Sequence, residues 1–200
     1  MARFVITGTG TDIGKTVFAA GLCGLMGADY WKPVQSGQPS DADQVAALSG
    51  ARVHPGAYHL IQPLSPHRAA ELDGVTIDPA RLIPPDSPIV IEGAGGVLVP
   101  LTRQKLFADL FADWGIPVIV VARTGLGTIS HSLTALESLR ARGVPVHGVA
   151  FIGDDNPDNI ATIGQLGRVR ILGRLPMLPT LSRATLTAAM ATHFNPQDFA

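Results

Sequence analysis

The 200-residue chain has one cysteine, Cys23, and only three lysines, Lys15, Lys32 and Lys105. A lone cysteine excludes a disulfide within the chain, and between Leu22 and Leu25 on a helix-like stretch it reads as a small buried hydrophobe. Charge is scarce as well. Only 16% of residues are charged, the net charge is −1 and no basic run occurs. The clustered positive face of an electrostatic nucleic-acid binder is therefore missing, and no nucleic-acid partner is expected. No apolar stretch approaches the ~20 residues of a membrane span. The first residues lead directly into a strand and loop rather than a basic, apolar leader, so a soluble, cytoplasmic protein without a membrane partner is expected. No internal repeat or low-complexity segment is evident.

What the chain does have is a sizeable apolar fraction, 46%, in a length that suits one domain over residues 1–200. Apolar, β-rich runs recur at 4–6, 30–34, 89–91, 118–121, 146–152 and 171–175, with helix-like segments between them. Near-continuous apolar strands alternating with helices predict a doubly wound α/β domain, a mainly parallel sheet covered by helices on both faces. Ligands of such sheets gather at the carboxyl ends of the strands. Residues just after each run therefore carry the functional reading.

After the first run comes Gly8-Thr9-Gly10-Thr11-Asp12-Ile13-Gly14-Lys15-Thr16. A strand emptying into a glycine-rich loop that ends in Gly-Lys-Thr is the sequence form of a phosphate-binding loop. Its backbone N–H groups converge on phosphate oxygens, the lysine reaches the outer phosphates and the threonine hydroxyl can ligate Mg²⁺. Gly14, Lys15 and Thr16 fill those roles. The common pattern places glycine where this chain has Thr9, so the loop is a variant. A Gly/Thr turn capping a helix is the alternative.

The third run ends in Glu92, followed by Gly93-Ala94-Gly95-Gly96. A carboxylate at such a strand end helps hold Mg²⁺ in phosphate-loop proteins, and the small residues behind it leave room for a nucleotide. Asp41 and Asp43 offer a second metal-side carboxylate; Asp41 equally suits the N-cap of a helix starting near Ala42. Lys32, between a strand and Pro33, is placed to stabilise a transferring phosphoryl group and a second anionic reactant.

The motifs Thr7 to Thr16 (Thr-Gly-Thr-x-Thr-x-x-Gly-Lys-Thr, with Gly10, Asp12 and Ile13 in the variable places), Lys32 to Gly37 (Lys-Pro-Val-Gln-Ser-Gly), Ser65-Pro66-His67, Glu92 to Gly96 and Gly125 to His131 span most of the chain. In this combination and order the chain resembles the dethiobiotin synthetases. The resemblance implies a P-loop, ATP-dependent cyclo-ligase of biotin biosynthesis, with Mg²⁺ as cofactor and ATP as co-substrate. Its other reactants would be 7,8-diaminononanoate and CO₂ or bicarbonate. It further implies that Lys15, Lys32 and Thr11 take part in catalysis and that Thr16, Asp41 and Glu92 form the metal site. The nucleotide would lie against Asp12, Ile13, Gly14, Lys15, Thr16, Val17, Asp41, Glu92, Gly93, Ala94 and Gly95, with Pro176, Met177 and Leu178 near its base. Ser36 would contact the diamine end of the substrate. In family homodimers the segment matching Gly127, Thr128, Ile129 and Ser130 holds the substrate carboxylate of the partner; read by itself, it is a βα turn opening a helix at Ser130, and an ordinary helix cap is the alternative. His67 and His131 lack the spacing of a metal pair and read as structural.

Two departures stand out. Many family members carry an asparagine after the fifth strand to read the adenine edge, whereas this chain has Ile152-Gly153, with Asn156 a few residues on. Other nucleoside triphosphates are therefore expected to serve alongside ATP. The stretch 77–88 is also short, which suggests a clipped helix. Among rival readings, a dimeric switch ATPase would carry its signature lysine at position 10, which is glycine. Amide synthetases of related type need a cysteine-bearing glutaminase domain, for which the chain has no room. A nucleotide-dependent adaptor without a diamine substrate is the non-enzymatic alternative.

Overall fold

A computed structural model describes residues 2–200. Seven strands form one parallel sheet in the order β4-β2-β6-β1-β7-β8-β9. Its centre is β1 (Arg3–Gly8), between β6 (Ile89–Gly96) and β7 (Val118–Arg123). The sheet continues on one side to β2 (Asp29–Trp31) and β4 (Val53–His54), and on the other to β8 (Val146–Ile152) and β9 (Ile171–Leu175). Alternate residues of the buried strands enter two cores. Val5, Ile91, Val120 and Phe151 pack on one face under α3 (Pro66–Asp73), α4 (Phe107–Trp114), α5 (Thr128–Arg140) and α6 (Pro157–Gly167). Ile6, Val90, Val121 and Ile152 pack on the other under α1 (Lys15–Met26), α2 (Asp41–Ser49) and α7 (Arg183–His193). The predicted doubly wound sheet is thus the observed one. Among the described residues no helix is long and apolar enough to cross a membrane.

Three local readings change. The run 30–34 is not one strand: β2 stops at Trp31, and β3 (Val34–Ser36) pairs with β5 (Tyr58–Leu60) in a separate two-stranded sheet. Proline has no N–H for a central ladder. Pro33 marks the break, and its carbonyl accepts from Ala57 N (2.9 Å) and Tyr58 N (3.1 Å). Strands β4 and β5 are too short to leave a periodic signal. Helix α5 begins at Thr128 with Gly127 as N-cap, two residues before the expected Ser130. Between 77 and 88 only a 3₁₀ turn, Pro79–Arg81, forms.

Because β1 has β6 on one side and β7 on the other, the chain winds in both directions from it. The crevice of such a switch point opens at the carboxyl ends of these strands. Gly8 and Arg123 end their strands at that edge, and Glu92 lies inside β6, opposite Ile6 of β1.

Candidate active site

The phosphate loop leaves β1 and is tied to β7 by Thr9 N donating to Val121 O at 3.0 Å. Gly14 caps α1 at φ 98°, a conformation that favours glycine, and an added Cβ would press on Ile152 Cδ1 at 2.6 Å. Asp12 takes φ 53° without being glycine, and its carbonyl accepts a hydrogen bond from the Arg123 guanidinium. Lys15 Nζ donates to Gly10 O at 2.8 Å, spanning the loop. Burial lowers the Lys15 pKa, opposed by the charge of Glu92.

Beside the loop, two cations and two carboxylates converge. Glu92 is 1% exposed, and its Oε1 accepts from Thr16 Oγ1 (2.9 Å) and Lys32 Nζ (3.1 Å). Lys32, 7% exposed, also donates to Asp41 Oδ2. Burial alone would lower its pKa, but Glu92 and Asp41 outweigh it and hold the ammonium above its ordinary value. Removing such charges from water is expensive, and an apolar replacement of similar volume would often be as stable. The cluster is therefore explained by chemistry better than by folding.

Asp41 is not the N-cap. Ser40 occupies that position, its Oγ accepting from Asp43 N at 3.3 Å, which leaves the Asp41 side chain free to reach Lys32. Asp43 has no such contact with the cluster. Glu92 lies within β6 rather than after it, because the strand continues through the glycines to Gly96. Gly93 serves packing: a Cβ there would sit 2.8 Å from the Phe111 ring.

The resulting cleft, about 830 Å³, brings together Thr11, Asp12, Gly14, Lys15, Thr16 and Val17 with Lys32, Ser36, Asp41, Glu92, Ala94 and Gly95. The buried Ser36 Oγ has no hydrogen-bond partner in the protein. A smaller apolar niche of about 190 Å³, lined by Ile13, Val17, Ile152, Pro176, Met177 and Leu178, adjoins the loop. Thr128 lies elsewhere, on a cavity of about 590 Å³ that shares Thr11 with the cleft. Its hydroxyl donates to Arg123 O, Ile129 packs on the core and Ser130 is exposed.

The family model described as AAA domain matches residues 2–185. The ATP-dependent dethiobiotin synthetase BioD of Novosphingobium aromaticivorans is 57% identical over the full length of both chains. The chain belongs to the dethiobiotin synthetase family. The ATP-dependent dethiobiotin synthetase of Agrobacterium fabrum is 58% identical over 98% of this chain and 96% of its own. Among solved structures, the Pyrococcus furiosus cell division ATPase MinD aligns with 90% of this chain and 85% of its own at a TM-score of 0.58 and 12% identity. That likeness is one of fold.

Two contributors escaped the sequence reading. Gln35 Oε1 accepts from Asp41 N (3.3 Å) while its Nε2 donates to Gly37 O (3.2 Å), which joins the start of α2 to the turn after β3. Gln35 lies inside the Lys32–Gly37 motif, so a signal existed. Arg123 meets the loop from 111 residues away, and nothing in its neighbourhood marked it.

Proposed function

We infer that this enzyme closes 7,8-diaminononanoate and CO₂ to dethiobiotin with ATP in the cleft between the phosphate loop and Lys32. The observation that carries the residue assignment is the convergence of Lys15, Thr16, Lys32, Asp41 and Glu92. The carbamate oxygen formed from one amine and CO₂ attacks the γ-phosphorus and ADP leaves. The second amine then attacks the carbamate carbon, the C–O bond to phosphate breaks and the cyclic urea forms. No protein nucleophile is needed. Positioning and charge neutralisation account for catalysis, as is usual for phosphoryl transfer.

Lys15 binds the outer phosphates and Lys32 faces the carbamate and the transferring group, with Thr11 beside them. Ser36, its hydroxyl unpartnered, takes the diamine end. Thr16, Asp41 and Glu92 offer hard oxygen donors that suit magnesium. Among the described residues no three His, Cys, Asp or Glu side chains form an ion cage, so Mg²⁺ would share its coordination with phosphate oxygens and water, its usual mode. Bound there, it would neutralise charge on the phosphates.

Gly127 to Ser130 lie off the cleft, and no side chain caps the N-terminus of α5. We assign this segment to the carboxylate of substrate held by a partner protomer, in a homodimer. Incubation with the diamine, bicarbonate, Mg²⁺ and ATP should yield dethiobiotin and phosphate in equal amounts. Absence of product at saturation would overturn the reading, and nucleotide turnover indifferent to the diamine would favour the adaptor. Sedimentation at assay concentration should show a dimer, and a fully active monomer would refute the shared site.

Base discrimination should be loose. At the matching place the chain has Ile152 and Gly153, the latter at φ 135° with a Cβ position 2.6 Å from Thr124 Oγ1, and neither carries a side chain that can hydrogen-bond a base edge. Asn156 is already engaged: Oδ1 accepts from Asn159 N (3.1 Å) and Nδ2 donates to Thr124 O (3.2 Å). Without a side chain reading the base edge, CTP, GTP or UTP should support kcat/KM within roughly tenfold of ATP, the equivalent of one hydrogen bond of about 1 to 1.5 kcal/mol. A preference for ATP beyond about a hundredfold would assign the reading to the Pro176–Leu178 backbone.

A further inference from the structure

Tyr30, one of two tyrosines in the chain, is the largest of the side chains wholly withdrawn from solvent. It stands on β2 opposite Val90 of β6, and its hydroxyl donates to Glu92 Oε2 at 2.8 Å. A buried phenol normally finds a partner. This one takes the carboxylate oxygen that the rest of the site leaves aside, since Thr16 and Lys32 both meet Oε1.

We propose that Tyr30 is a positioning residue for the reaction: its hydroxyl pins Glu92 Oε2 so that Oε1 is presented to Thr16, Lys32 and a magnesium ion. This rests on the assignment of Thr16, Asp41 and Glu92 to the metal. A phenylalanine would fill nearly the same volume. It would leave Oε2 unpartnered in a buried site and free the carboxylate to turn, so the effect of the hydroxyl is separable from that of the ring.

Tyr30→Phe should fold, as judged by circular dichroism and melting. In calorimetric titration of the ADP-bound protein, Mg²⁺ should bind about tenfold more weakly, the scale of one charge-assisted hydrogen bond, while ADP binding without Mg²⁺ stays within about twofold of the parent. The apparent KM for Mg²⁺ should rise by more than kcat falls. A folded Tyr30→Phe chain with parental Mg²⁺ affinity would overturn the role of Tyr30. Glu92→Gln, titrated in parallel, separates the two levels: weakened binding there with none in Tyr30→Phe removes only the tyrosine, whereas unchanged binding in both removes the metal assignment as well. A Tyr58→Phe chain provides a second measurement, since Tyr30 is then its sole tyrosine. Mg²⁺ added to its ADP complex should change the tyrosine ultraviolet difference spectrum, and a silent tyrosine band would count against the proposal.

Discussion

Replacing Lys32 with alanine should lower kcat by ~10²-fold or more, the usual scale for removing one donor to developing charge in a transition state, with nucleotide affinity less affected. Lys32 is the only cation that contacts both Asp41 and Glu92 among the described residues. It remains charged because those carboxylates outweigh its burial. Its removal leaves two acidic groups facing each other in the cleft to which we assign the carbamate and the polyphosphate. A melting temperature should accompany the kinetics, since breaking a buried ion pair from one side costs on the order of 3–5 kcal/mol. Arginine is not a conservative replacement, because a planar fork cannot stand in for a compact ammonium between two carboxylates. Calorimetry with ADP separates binding from chemistry. Equal loss of nucleotide affinity in the Lys32 and Lys15 variants would contradict the division of roles.

Lys15→Ala should instead weaken ATP binding by about 10- to 100-fold and reduce kcat with it, the range expected when charge-assisted hydrogen bonds of about 1.5–3 kcal/mol are removed. The Lys15 ammonium is already held over the loop by Gly10 O, so little conformational entropy remains to be lost when phosphates arrive. Burial makes that ammonium less comfortable as a cation, and an arriving phosphate would relieve this. Unaltered ADP affinity in a folded Lys15→Ala chain would remove Lys15 from the nucleotide site.

Much of the fold was legible because its signals are local. The apolar runs at β1, β6, β7, β8 and β9 are long enough to register, and each helix between them presents an apolar face. The loop from Gly8 to Thr16 announces itself because phosphate binding needs backbone N–H groups and glycine in a short span of chain. Where the reading failed, the cause lay in packing or hydrogen bonding. The run 30–34 looked continuous because hydropathy ignores the missing N–H of Pro33. For Asp41 an N-cap and a metal-side carboxylate were equally open, and the structure decides: Ser40 accepts from Asp43 N, which leaves the Asp41 carboxylate to meet Lys32.

By itself the sequence determined the parallel α/β architecture, the phosphate loop and the family motifs, because each is written in residue types at fixed short spacing. Only the tertiary structure decided how the distant parts meet. The Lys32–Glu92 contact joins residues 60 apart, Thr16 and Glu92 are 76 apart, and Arg123 meets the loop across 111. It also decided that Gly153 takes a positive φ beside the Thr124 hydroxyl and that Tyr30 donates to the far oxygen of Glu92. Such relations depend on strand order: β6 lies between β1 and β2 in space, although β2 precedes it in the chain. No window of sequence contains that adjacency.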